Sequence, residues 1–463
     1  MPIDLVASGI AGLAAALRGG ATTAAEVAEA AIDAHARREG ALNAHRAFDA
    51  GLMRRQAAAA DALLAAGCDL GPFMGLPVSV KDLFGLAGFP TWAGTPRALP
   101  PEHAREGAFV GAFRRQAALL AAKTHTVEFA FGGLGTNRHW GAPRNPWDQA
   151  VHRVSGGSSS GAGVGLWQGS AMLALGSDTT GSVRMPASWT GTVGVKVSRG
   201  RWTTDGLLQQ SETLDTPGIL ARSAADAALG FAALDGVPGD AIAWAAAQAA
   251  RPLEGLRIGI ARKPFLEGCE PGIAERVEEA LRELEAGGAR LVDFELPEAT
   301  PAYELWLAGH LSAPEAHATL VERFAEWIPD IDPNIWARIS SFGEMPAGEY
   351  VRRRRRILGW MEATEARMQD IDAIAMPTIP IPPPPLAAVE ALEGYRRHNT
   401  AASRNAAVIS LLDCCAITLP VGLDAQRMPV GMQLAARRGD ERALMGIALA
   451  AERRLGRPVD RLG

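Results

Sequence analysis

The sequence predicts an α/β fold, a β-sheet covered by helices, and three observations point to it. Short apolar segments of strand length alternate with segments of helical period along most of the chain. A composition of 48% hydrophobic and 21% charged residues over 463 positions supports a large buried core, as one big domain or two smaller ones. No fixed-period repeat is visible.

The elements follow in order. Thr23 and Glu26 have capping-box spacing ahead of AAEVAEAAIDAHARR, and the alanine-rich stretch from about Ala47 to Ala66 keeps a helical period. These N-terminal helices, within about residues 1–70, are expected to pack outside the sheet. From Leu76 onward come strand-like LPVSV, a helix near 104 to 120, and then AMLALGS at 171, LRIGIA at 256, ARLVDFEL at 289 and DAIAMP at 372. CCAITLPVG and MPVGMQLAA continue the pattern, and a helix from about Glu441 to Leu455 follows. The proline run through 381 to 386 reads as an extended surface connection. Arg352 to Arg356 read as a solvated helical turn rather than an anion site, because every face carries charge.

A net charge of -5 and a pI near 6.0 give no electrostatic reason to expect nucleic acid, so the expected partner is a small molecule. Four cysteines, only Cys414 and Cys415 of them close in sequence, lack metal-ligand spacing and are too few for a disulfide scaffold. That usage fits a reducing cytoplasm. Neither a secretory leader nor an apolar run of membrane-spanning length is apparent, so the expectation is a non-secreted protein without a membrane partner. Of the 46 Lys and Arg residues only Lys81, Lys123, Lys196 and Lys263 are lysine. Arginine stays protonated, whereas a desolvated lysine can become a base near neutral pH. Lys123, Lys196 and Lys263 read as surface lysines. Lys81 reads as buried, since Leu76, Val78 and Val80 alternate before it and Leu83 and Phe84 follow.

Two serine-bearing segments carry the chemistry. The first is SGGSSSGAGVG at 155 to 165. It lacks the Gly-Lys-Ser/Thr ending of a phosphate loop, because Ala162 follows Gly161, and Leu166 stands where a dinucleotide fingerprint needs its last glycine. Gly157 to Gly161 does fit G-x-S-x-G, with Ser159 as the nucleophile of an esterase-like elbow. Against that, DQAVHRV is a poor core strand, and His310, His317 and His398 have no adjacent acidic orienter. A flexible linker is the plain alternative. The second segment, AMLALGSDTTGSVRMPASWTG, reads as a buried strand, a tight turn holding Ser182, and a helix start. The backbone N–H groups of Thr179, Thr180 and Gly181 converge there as an oxyanion requires. Taken alone, Ser182 reads as a helix cap; the company of a second serine turn and a buried lysine makes it a nucleophile candidate.

GLPVSVKD, RNPWD, SGGSSSGAG, GSDTTGSVRMPA and LDTPGILARSAADA, in that order, resemble the amidase signature family of serine hydrolases. The likeness runs from the N-terminal helices to PVGMQLAARRGDE near 430. It implies one domain over residues 1–463, with a mixed central sheet covered by helices on both faces. It also implies hydrolysis of a carboxylic amide through a serine acyl-enzyme, releasing an acid and ammonia or an amine, with no metal or cofactor. Carried over, Ser182 is the nucleophile, Ser158 the bridging serine after a cis peptide from Gly157, and Lys81 the general base. Gly132 and Gly133 fall at the family's substrate floor, while Arg184 and Asp178 take structural roles. Trp92, Phe131 and Trp140 are candidate pocket aromatics. The chain departs from the pattern at Thr180, where most relatives have glycine, at Trp189 and Thr190, and at Val197. A homodimer, and a role as a glutaminase-like subunit feeding ammonia to a partner, are the other expectations left open.

Overall fold

Among the described residues of the computed structural model, 3–237 and 239–462, eleven strands form one mixed sheet. In chain order they are β1 (His45–Phe48), β2 (Val78–Lys81), β3 (Ala122–Thr124), β4 (Leu173–Asp178), β5 (Val193–Lys196) and β6 (Thr216–Ala221). The rest are β7 (Arg257–Ile260), β8 (Arg290–Asp293), β9 (Ala373–Pro377), β10 (Cys415–Leu423) and β11 (Pro429–Ala436). They lie side by side as β1-β3-β2-β4-β6-β5-β10-β11-β9-β7-β8. β3, β2 and β4 are mutually parallel, as are β9, β7 and β8, and the strands between them pair antiparallel.

Strands buried on both faces explain the near-continuous apolar runs of β4, β10 and β11. Successive side chains point to opposite faces, and here they enter different cores. Ala373, Ala375, Ile417 and Leu434 join one cluster with Leu444 and Leu449 of the helix Glu441–Leu455. Ile374, Met376, Ala416 and Ala435 join a second cluster with Val408 and Ile409 of the helix Leu392–Leu411. Helices therefore cover both faces.

Three local expectations change. The capping box at Thr23 and Glu26 forms and opens the helix Ala24–Leu42, but His45–Phe48 make an edge strand against β3, so the N-terminal portion also contributes to the sheet. The next helix starts at Ala50, where Asp49 caps it by accepting the Leu52 N–H at 2.8 Å. The helix expected near 104 to 120 is short, Ala108–Arg114. The proline run is extended but not a surface connection: Pro383 and Pro384 are buried, and their carbonyls accept from Arg153 Nη1 (2.8 Å) and the Val154 N–H (3.1 Å). Among the described residues no helix is long and apolar enough to cross a membrane.

Candidate active site

β2 and β4 run parallel and adjacent, so Lys81 at the end of one and Asp178 at the end of the other emerge at the same edge of the sheet. Beyond Asp178 the chain makes the turn 179–183 and enters the helix Arg184–Thr190. Asp178 organises that turn. Its carboxylate accepts the N–H groups of Gly181 (2.7 Å) and Val183 (3.2 Å), and pairs with the Arg184 guanidinium at 2.9 Å, both side chains fully buried. Burial opposes its ionisation, but the charge of Arg184 outweighs that and holds the carboxyl down at about 2. Arg184 also reaches Gln433 and Ser410. Both residues are structural, as expected.

The glycine-rich run is a buried strap across this turn. The Gly157 N–H donates to the Gly133 carbonyl (2.8 Å) and the Ser159 N–H to the Ser182 carbonyl (3.1 Å). The peptide between Gly157 and Ser158 is cis. A side chain at Gly176 of β4 would meet Ser159 Oγ at 2.9 Å, so glycine there lets the strap lie on the strand. Ser158 is fully buried with its Oγ 2.7 Å from Lys81 Nζ. Ser159 Oγ instead donates to the Ser177 carbonyl (3.3 Å) and does not line the cavity described below.

Lys81 is fully buried, and besides Ser158 it touches Ser177 Oγ at 2.9 Å. Burial brings its pKa down from 10.5 to about 7, against the attraction of Asp215 and Asp178. Asp215, which burial pushes up to about 6, accepts the backbone N–H of Gln210 (2.7 Å) and bonds the Thr179 hydroxyl. Lys123 and Lys196, expected on the surface, are buried too. Lys123 pairs with Asp82 at 2.8 Å, and Lys196 donates to the Val197 (2.8 Å) and Cys414 (3.1 Å) carbonyls. Only Lys263 is exposed.

Ser182 opens onto a cavity of about 360 Å³. The Gly181 N–H, named above as an oxyanion donor, is committed to Asp178. The N–H groups of Thr179, Thr180 and Ser182 have no acceptor among the described residues; Thr180 and Ser182 line the cavity, Thr179 does not, and the Ser182 amide was not among the donors named from the sequence. Gly132 and Gly133 line the cavity, yet neighbouring side chains explain why they are glycine: a Cβ would overlap the Tyr395 hydroxyl at Gly132 and lie 2.6 Å from Met185 Cε at Gly133. Phe131 lines the cavity, whereas Trp92 and Trp140 sandwich the Arg46 guanidinium at 3.9 and 3.6 Å.

The remaining wall comes from Trp306 on the helix Ala299–Leu307, His310 in the turn that follows it, Ser312 at the start of the helix Ser312–Arg323, Arg338 on Pro333–Ser340, and Arg396 and Asn399 on Leu392–Leu411. None was marked by a motif. Among the described residues His310 has no carboxylate orienter: its Nδ1 accepts the Ser312 N–H at 3.2 Å, and burial above all lowers its pKa to about 3. A separate group, His35, Glu39 and His45, brings three ligand-type atoms within 4.8 Å of one another. Its carboxylate already accepts the His45 N–H (2.8 Å) and Gln168 Nε2 (2.7 Å), and none of the three lines the cavity.

Comparison with known proteins is consistent across sequence and structure. The sequence pattern of the family described as Amidase matches residues 26–445. A Comamonas testosteroni protein named 2-amino-5-chloromuconic acid deaminase is 45% identical over 455 residues, 97% of this chain and 96% of its own length. A glutamyl-tRNA(Gln) amidotransferase subunit from Salinispora arenicola (strain CNS-205) is 32% identical over 502 residues, covering 98% of each chain. A solved structure described as "Crystal structure of amidase" superposes with a TM-score of 0.85 at 29% identity, over 97% of this chain and 100% of its own.

Proposed function

The chain belongs to the amidase family, and from that premise we propose that it hydrolyses the C–N bond of a small carboxylic amide through an acyl-enzyme on Ser182. The observation that carries the reading is the fully buried Lys81, 2.7 Å from Ser158, with a pKa near 7. At pH 7 about half of such lysines are neutral, against roughly one in three thousand for a free one. The neutral amine is the base. It takes the Ser158 hydroxyl proton while Ser158 takes that of Ser182, and Ser182 Oγ attacks the carbonyl carbon. The carbonyl oxygen gains negative charge, and the reading gives the N–H groups of Thr180 and Ser182, which line the cavity and have no acceptor among the described residues, the task of receiving it. The C–N bond then breaks, the departing nitrogen takes the proton back along the same relay, and water releases the acid. The name of the Comamonas testosteroni relative, a deaminase, favours ammonia as the leaving group.

Ser182→Ala is expected to abolish ammonia release from amides, and a fluorophosphonate to label Ser182 and no other serine in the wild type. Labelling of Ser159, or activity retained in Ser182→Ala, contradicts the assignment. The amidotransferase reading is favoured only by relatives such as the Salinispora arenicola protein, and it predicts glutamine as the preferred amide. Four free thiols, Cys414 and Cys415 buried side by side, support a reducing, cytoplasmic setting.

A further inference from the structure

Arg338 and Arg396 line the same cavity as Ser182, and among the described residues no Asp or Glu does. Arg338, on the helix Pro333–Ser340, is held in place without being neutralised. Its guanidinium lies over the rings of Phe131 (4.9 Å) and Tyr395 (5.5 Å), and Nη1 donates to the Phe131 carbonyl at 3.3 Å. That is one of five N–H donors. Neighbouring Arg353 has its carboxylate, Glu349 at 2.8 Å, but among the described residues neither Arg338 nor Arg396 has one. Burial above all, and the like charge of Arg396, act against the Arg338 cation, the Tyr395 hydroxyl beside it acts in its favour, and the guanidinium stays charged. His310 adds no charge, since its Nδ1 accepts a backbone N–H and its ring stays neutral. Two uncompensated cations in a partly desolvated cavity repel each other until an anion enters, and their fork geometry suits a carboxylate.

We propose that the substrate's acyl group carries a carboxylate, bound by Arg338 with the exposed Arg396 on the solvent side, so that the substrates are monoamides of short dicarboxylic acids. The proposal rests on Ser182 as the nucleophile only for where the amide end lies. The substrate's own carboxylate supplies the missing counter-charge, and its distance from the amide selects chain length.

The test compares succinamate, glutaramate and adipamate with their methyl esters, which keep the length and lose the charge. Wild-type kcat/KM for the best of the three is expected to exceed that of its ester about 10- to 100-fold, the range for a charge-assisted hydrogen bond. Arg338→Gln should collapse that ratio at least tenfold, mainly through KM, and Arg338→Lys should recover part of it. Arg396→Gln, at an exposed position that leaves folding intact, should lower the ratio about three- to tenfold and make what remains less dependent on salt, because the screened contribution is the one removed. Equal turnover of acids and esters by the wild type, or a ratio unmoved by both substitutions, overturns the proposal. Calorimetric binding of adipate to Ser182→Ala separates it from the catalytic reading. Binding weakened tenfold on adding Arg338→Gln supports the carboxylate site even if no amide is hydrolysed, in which case the nucleophile assignment falls instead. Adipate binding equally well with and without Arg338 overturns the carboxylate site.

Discussion

Lys81 lowers the stability of the fold near neutral pH. Burial moves its pKa from 10.5 to about 7, so between those values the unfolded chain carries a proton that the folded chain lacks. Stability therefore rises with pH across that window. Lys81→Met should melt at or above the wild-type temperature at pH 7, the difference narrowing toward pH 10, while amide hydrolysis falls about 10³-fold. In the wild type kcat/KM should climb through about pH 7, and a Lys81→Met protein that melts lower at pH 7 contradicts this account. Lys81 was legible because lysine is scarce here and an alternating apolar run leads into it. Scarcity alone did not separate it from Lys123 and Lys196, which are just as buried. What separates them is the partner: a carboxylate for Lys123, carbonyls for Lys196 and a serine hydroxyl for Lys81. Partners brought together from 77 residues away leave no local trace in sequence.

The turn after β4 depends on Asp178. Asp178→Ala strips the acceptor from three backbone N–H groups, those of Gly181, Val183 and Arg184, and leaves the Arg184 guanidinium charged without its carboxylate in the core. Breaking a buried pair in this way costs about 3–5 kcal/mol, so the urea midpoint should drop sharply and activity should disappear with the turn geometry. An unchanged midpoint would mean that Gln433 and Ser410 alone hold Arg184. Among the strands, β2, β4, β7, β8, β9, β10 and β11 were legible from their apolar runs. β1, β3 and β5 were not: β1 has only Ala47 and Phe48 as apolar residues, β3 is three residues with Lys123 at its centre, and β5 interrupts its valines with Gly194. β6 was hidden by Pro217 and Gly218, residues that argue against a central strand; Gly218 pairs with Gly176 where a larger residue would meet Val183.

Across the whole molecule, the helix Glu441–Leu455 near the end of the chain is tied back to its middle by Glu452, which accepts the Ala224 N–H at 2.6 Å at the start of the helix Ala224–Leu234. Burial raises its pKa from 4.5 to about 7. Between those values the folded chain keeps a proton that the unfolded chain has lost, so this group's contribution to stability falls as pH rises through the window. Glu452→Gln should remove that slope: the melting temperature of the variant relative to wild type should rise between pH 5 and pH 7, and a constant difference refutes the assignment. Most of the sheet, and the edge where Lys81 and Asp178 emerge, were readable at this scale because their motifs are contiguous. The cavity wall was not, since its helices are amphipathic segments whose inward residues are fixed only by packing against the sheet.

That division has a practical side. The residues assigned to bond cleavage fall between positions 81 and 182, and the helices that bring Arg338 and Arg396 to the cavity begin after 298. A mutational library confined to the later stretch samples new substrates while leaving the proposed proton relay untouched. A protein engineer could therefore retarget this hydrolase without first rebuilding its reactive centre.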